Sequence, residues 1–303
     1  MIHVTPVVSD ELAAIRDRIM DLSIRNIAPR VDLFTSEVFP VDLWQEMGRE
    51  DLLGIGIPRE YGGSGLGYLG SAVAGMALAE SSRCLGFTLS WIMNQIIARF
   101  FLVEFGNRSQ NETYLPALAQ GDLIGAVAMS EPGIGAHPKH VHTTARRQGD
   151  AYVLNGEKAY ITNGPLAGFF TVLAVTGHAH GKKQFTAFII DRDTRGLKIK
   201  EPMDIGSLRP CQHCGITLEG CTVPGTAVLG TVGDAYLDMV IPFREIEDAL
   251  MMGPVIGAMR AQLALIRDQL RKNRTALSDD ILGRLGNITS LLHTLEVIAL
   301  EAA

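Results

Sequence analysis

The feature that most constrains this chain is a change of hydrophobic period at Asp122 and a change back at Tyr236. Before the first switch, apolar residues recur three and four apart: Leu12, Ile15, Ile19 and Leu22 would line one helical face. "PVDLWQEMGREDLLG" opens with Pro40 and closes with Gly54, a helix start and stop pair, and "IPREYGGSGLGY" is a glycine-rich loop leading into a helix from Leu69 to Glu80. "TLSWIMNQIIARFFLVEFG" and "SQNETYLPALAQG" each read as a helix closed by glycine. Between the switches, "FFTVLAVTG", "QFTAFIID" and "GITLEGCTVPG" are β-branched runs bounded by Gly, Asp or Pro. Asn155-Gly156 falls between alternating runs in "AYVLNGEKAYITNG", which predicts a hairpin turn there. "GHAHGKK", with His178 and His180, predicts a second, polar hairpin tip. Helical spacing then returns through Ile246, Leu250, Ile256, Met259 and Leu263, and a last helix is expected from Asp279.

The expected fold class is therefore α+β and multidomain. An all-helical N-terminal domain spans 1–121, a central antiparallel β barrel or sandwich 122–234, and a shortened helical C-terminal domain 235–303. At 47% hydrophobic and 20% charged, 303 residues can bury real cores. A net charge of -6, with Lys and Arg scattered among acids, gives no basic field for nucleic acid. Apolar runs such as "ALMMGPVIGAM" fall short of the ~20 residues that a bilayer span needs, so no membrane span is expected. Four cysteines make no disulfide framework, and the expected location is cytoplasmic. The apolar helix "ITSLLHTLEVIALEAA" predicts a homo- or hetero-oligomeric partner to cover it.

The densest chemistry sits in "MSEPGIGAHPKHVH", residues 129–142. It lacks the Lys-Ser/Thr of a phosphate loop and the helix that a dinucleotide fingerprint opens, which excludes both nucleotide-loop readings. His137, His140 and His142, with Cys211, His213, Cys214 and Cys221, are zinc-ligand types. One Cys-x-x-Cys pair is half of what a zinc ribbon needs, so no metal is expected.

Four segments in order, "FPVDLWQEMGREDLLGIGIPREYGGSGLGY", "FGNRSQNETYLPALAQGDLIGAVAMSEPGIG", "GDAYVLNGEKAYITNG" and "VPGTAVLG", resemble the acyl-CoA dehydrogenase family over roughly residues 9 to 265. The resemblance implies FAD held between the central and C-terminal domains. It implies an oxidoreductase acting on CH–CH groups: α,β-dehydrogenation of an acyl-CoA, with the α-proton passing to a carboxylate and the β-hydride to flavin N5. An electron-transfer flavoprotein is the implied electron acceptor. An α C–H is too weak an acid for a carboxylate unless positioned donors stabilise the developing enolate, so geometry and electrostatics are the protein's share.

By the same resemblance Met129 and Ser130 lie beside the flavin ring, Tyr160 shields it, and the Thr162 hydroxyl meets it. Ala136 stands where the family has a serine contacting acyl-CoA, and Arg209 matches a family arginine. The family's late Tyr-Glu-Gly base motif does not occur in this sequence. Isovaleryl-type members carry the base on the first long C-terminal helix, and Glu247 occupies that position, with Glu245 at a family aspartate that meets substrate. Asp248, where the family has arginine, should raise the pKa of Glu247. Arg274 is the nearest match to the arginine that reaches the FAD pyrophosphate. The alternative reading is a non-catalytic homologue serving as a structural or acyl-CoA-binding subunit of a hetero-oligomer.

Overall fold

The computed structural model describes residues 9–135, 137, 140–272 and 278–303. Helix α1 (Asp10–Leu22) opens at Ser9, whose hydroxyl accepts from the Leu12 amide, and Asp10 and Glu11 sit at the positive end of its dipole. It buries Leu12, Ile15, Ile19 and Leu22, the face that its spacing predicts. Helix α2 (Val41–Arg49) stops short of the expected Gly54, because Glu50 leaves the helical region and Asp51 turns left-handed at φ 55°. Helix α3 (Gly67–Ser82) is buried along most of its length. Helix α4 (Leu85–Ile96) runs on through a wider turn, Ile97–Leu102, into the short α5 (Val103–Phe105). Helix α6 (Arg108–Gln120) has a capping box from Asn107 and Gln110 and ends at Gly121, φ 82°.

The strands are β1 (Gly125–Ala128), β2 (Thr144–Gln148), β3 (Ala151–Thr162), β4 (Phe169–Ala179), β5 (Lys182–Asp191), β6 (Leu197–Ile199), β7 (His213–Pro224) and β8 (Val228–Leu229). They form one sheet in the order β6-β7-β3-β2-β4-β5-β8, with β1 alongside β4. The sheet is open rather than closed into a barrel, and it is mixed: β1 pairs parallel to β4, and β2 meets β4 in parallel at Thr144 and Val175. One side of the sheet buries Phe170, Val172, Phe188 and Ile190 with Leu154 and Ile216. The other side joins the helical core through Phe169, Leu173, Phe185 and Ile189.

The expected turn at Asn155-Gly156 does not form. Strand β3 runs straight through it for 12 residues, and the chain reverses earlier, at Gly149 and Asp150. Gly156 is needed for a different reason: a Cβ there would lie 2.7 Å from the Thr143 Cα, and its φ of 150° accommodates a shift in register with β7. Asn155 turns its side chain outward to accept from the Gly220 amide at 2.8 Å. The second hairpin forms as expected, with His180 and Gly181 at the tip, both at positive φ.

Helix α7 (Ile241–Lys272) lies against α3 at unusually close range. A Cβ on Gly257 would sit 2.2 Å from the Met76 carbonyl oxygen, and one on Gly253 2.7 Å from that of Ala72. Helix α8 (Asp279–Ala302) packs back on α7, with Arg260 bonded to both carboxylate oxygens of Glu296 and 3.7 Å from Glu80. Val255, Met259 and Ile266 on α7, and Leu291 and Ile298 on α8, remain exposed. Two helical stretches, Leu85–Phe105 and Tyr236–Lys272, are long and apolar enough to cross a bilayer. The first is 83% buried inside the protein, as a core helix is.

Gly257→Ala is expected to destabilise the protein by about 1–3 kcal/mol by forcing α7 off α3. Gly283→Ala in α8, where a Cβ meets nothing within 4 Å, should stabilise it by up to about 1 kcal/mol. Urea unfolding of both variants measures the difference.

Candidate functional site

The segment leaving β1 carries Met129 and Ser130, and it runs beside β3 at the point where that strand is least regular. The Ala159 amide donates to the Ser130 carbonyl at 2.9 Å, which sets Met129–Ser130 next to Tyr160–Thr162. Beneath this junction lies a buried ion pair. The Lys158 ammonium, with no exposed surface, donates to the Met129 carbonyl at 2.9 Å and to Glu131 Oε1 at 3.1 Å. Glu131, 4% exposed, also accepts from the amides of His142 and Thr143 at 2.8 Å and from the Thr143 hydroxyl at 2.6 Å.

These contacts set the protonation of the pair. Burial alone would raise the Glu131 pKa, but the Lys158 charge, the Thr143 hydroxyl and the two amides outweigh it and hold the carboxyl below its usual range. Burial drives the Lys158 pKa down to about 8, against the opposing pull of Glu131. Near neutral pH both groups are therefore charged.

Strand β3 bulges just after Lys158. Lys158 faces Ile216 and Ile161 faces Cys214, so Ala159 and Tyr160 together oppose Gly215. The bulge puts Tyr160 in the left-handed region at φ 57° and leaves the residue 62% exposed. An aromatic residue in that conformation costs on the order of 1–3 kcal/mol, and such strain collects at functional sites. Thr162 restores pairing opposite His213. His213 is buried, its Nδ1 has no partner, and burial lowers its pKa against an opposing backbone hydrogen bond at Cys211. Asn163 anchors the strand end to α4 by donating to the Ser90 carbonyl at 2.9 Å. Ser130 and Thr162 are half-buried, and among the described residues neither hydroxyl has a hydrogen-bond partner. An exposed aromatic ring, two free hydroxyls and adjacent backbone suit a flat heteroaromatic group with acceptor atoms along its edge.

Four of the expected residues, Met129, Ser130, Tyr160 and Thr162, thus come together. Glu247 and Glu245 stand on α7, and among the described residues no hydrogen bond or ion pair links either to the strands. Glu247 is half-buried, and burial, then Asp248, raise its pKa against a weaker lowering by Arg244. Glu245 is exposed. Ala136 and Arg274 lie outside the described residues. Arg209 is bound to Asp204, Glu37 and the Thr35 carbonyl, and so ties the β6–β7 connection to the helical domain. Among the described residues no three His, Cys, Asp or Glu side chains could share a metal ion, and all four cysteines are free and buried. A separate cleft of about 380 Å³ lies at the far end of β3, lined by Thr144, Arg146, Gln148, Val153 and Asn155.

Residue types alone do not single out Glu131, Thr143 or Lys158. The signal was present: Tyr152 and Leu154 are buried, and Lys158 falls on the buried side of the same strand. A lysine there requires an acid to meet it.

Residues 9–122 match the acyl-CoA dehydrogenase N-terminal domain and residues 126–221 the acyl-CoA dehydrogenase middle domain. The mitochondrial isovaleryl-CoA dehydrogenase of Solanum tuberosum is 35% identical over 83% of this chain and 61% of its own length. A probable acyl-CoA dehydrogenase of Bacillus subtilis is 32% identical over 86% of the chain and 69% of its own. A glutaryl-CoA dehydrogenase from Mycobacterium smegmatis, solved in complex with FADH2, superposes with a TM-score of 0.86 at 25% identity. That match covers 97% of this chain and 75% of the other. The chain spans about three fifths of the length of the first of these relatives.

The lowered pKa of Glu131 fixes the sign of a pH effect. Its contribution to stability is fully present above the ordinary glutamate value of 4.5 and is lost as pH falls through the lower folded-state value. The stability gap between wild type and Glu131→Gln should therefore be widest near neutral pH and narrow below about pH 4.5. Urea titrations at a series of pH values measure it, and a gap independent of pH would contradict the charged pair.

Proposed function

The chain belongs to the acyl-CoA dehydrogenase family, and from that premise we propose that it is a flavin-dependent oxidoreductase that introduces an α,β double bond into an acyl-CoA thioester. The observation that carries this reading is the Ala159–Ser130 hydrogen bond, which joins Ser130 to the strand segment that bears the exposed, strained Tyr160 and Thr162, with both hydroxyls unpartnered among the described residues. FAD fits that donor set, and the FADH2 complex of the M. smegmatis relative supports the choice.

Ser130 and Thr162 would hydrogen-bond the ring edge, Met129 would line it, and Tyr160 would shield its outer face from water. Arg274 and Ala136 remain candidates for the pyrophosphate and the acyl-CoA, with Glu245 as a further substrate contact. When bound, FAD supplies the acceptor for the β-hydride. Glu247 takes the α-proton; its raised pKa makes it a stronger base than an exposed glutamate, and it must be ionised to act. Electrons would leave to an electron-transfer flavoprotein. The protein would act in the cytoplasm, where its four free cysteines stay reduced, as an oligomer with neither nucleic acid nor a membrane span involved.

A second reading, a non-catalytic structural or acyl-CoA-binding subunit, draws on one observation. The apolar residues left exposed on α7 and α8 suit a chain that is covered by a partner.

Visible absorption after incubation with FAD, followed by anaerobic addition of a series of acyl-CoA thioesters, separates the two readings. Bleaching of a flavin band by one thioester is expected from the dehydrogenase; a colourless protein that still binds acyl-CoA would support the subunit. Glu247→Gln should reduce turnover by at least about a hundredfold while FAD stays bound, and the wild-type kcat should rise with pH along a limb centred above the ordinary glutamate value of 4.5. Retained turnover would remove Glu247 from the mechanism. Ser130→Ala with Thr162→Ala should weaken FAD retention, and unchanged flavin content would exclude these hydroxyls from the site.

A further inference from the structure

We propose that the buried Glu131–Lys158 pair is a positioning device for the flavin edge: Lys158 clamps the Met129–Ser130 peptide so that the Ser130 amide is presented, polarised, to the bound ring. The inference rests on the flavin reading above and concerns residues that would not touch the cofactor themselves.

Three observations carry it. The Lys158 ammonium binds the Met129 carbonyl oxygen at 2.9 Å, and that oxygen belongs to the peptide whose N–H is that of Ser130. The peptide is trans, so its carbonyl and its N–H point in opposite directions. With the oxygen turned inward to a fully buried lysine, the Ser130 N–H is turned outward. Among the described residues that N–H has no acceptor, whereas the next carbonyl, that of Ser130, is engaged by Ala159. The outward amide and the free hydroxyl thus belong to the same residue, Ser130. A cation on the carbonyl oxygen draws electron density through the peptide and makes its N–H a better donor, above all towards a group that gains negative charge.

Glu131 completes the device. It fixes the ammonium at 3.1 Å and is itself fixed by three donors from His142 and Thr143. The lysine thus has no freedom to drop the Met129 carbonyl. Fold stability alone does not account for the pair, because well-packed apolar residues of similar volume often stabilise a fold as well as a buried ion pair does.

The test uses Lys158→Met combined with Glu131→Gln, which removes both charges and leaves neither one orphaned. Two quantities are read on protein whose thermal unfolding remains cooperative: the FAD dissociation constant, from quenching of FAD fluorescence, and the midpoint potential of the bound flavin. The expected result is roughly tenfold weaker FAD binding, the equivalent of one charge-assisted hydrogen bond, with a potential shifted in the negative direction. Lys158→Arg, which keeps the charge, should restore both most of the way. If the apolar double variant does not fold, Lys158→Gln with Glu131→Gln carries the same test, since it keeps a hydrogen bond to Met129 but no charge. Unchanged affinity and potential in a folded neutral variant would overturn this inference alone. Failure of the wild type to bind FAD would overturn the flavin reading and this inference with it.

Discussion

A lysine ammonium cut off from water is tolerable only where acceptors surround it, and here the acceptors come from separate segments of the chain. Lys158 stands on β3, Met129 and Glu131 on the segment after β1, and Thr143, which binds Glu131, on the approach to β2. The sheet order places β3 next to β2, and β1 with β2 alongside β4. The pair ties together, at one point, the irregular ends of the elements that bear the candidate site. Ser130 and Thr162 can be left without partners because the backbone that carries them is fixed from below.

The helical part acts as the mount. Asn163 holds the end of β3 to the Ser90 carbonyl of α4, and Asn94 of α4 accepts from the Gly125 amide at the start of β1. Both strands that lead into the site are therefore referenced to one buried helix. Helix α7 lies against α3 through glycines that allow near-contact of the backbones, and it carries Glu247. Glu247 is half-buried there, which raises its pKa, and Asp248 adds to the effect.

Much of the fold was legible in the sequence, because its periodicity is strong: the face of α1, the helix from Tyr236 and the hairpin at His180-Gly181 all form where the spacing puts them. Asn155-Gly156 misled, because a sequence favourable to a turn also suits a bulge, and the decisive fact was the proximity of Thr143, which only tertiary structure provides. The expectation of a barrel or sandwich missed the parallel pairing of β1 with β4, since local alternation says nothing of strand direction. For the candidate site, the residue types alone were silent. A family resemblance points to Ser130, Tyr160 and Thr162, and the free hydroxyls and the left-handed tyrosine supply physical reasons that the sequence does not contain. Lys158 was readable in principle as a cation on a buried strand face, but its partner Glu131 lies 27 residues away.

The most direct test of the central claim is an experimental structure of the protein with FAD. The account requires the isoalloxazine ring to lie against Tyr160, with its edge at the Thr162 hydroxyl and at the Ser130 hydroxyl and amide. FAD bound elsewhere on the protein, or a ring that leaves Ser130 and Thr162 untouched, would contradict it.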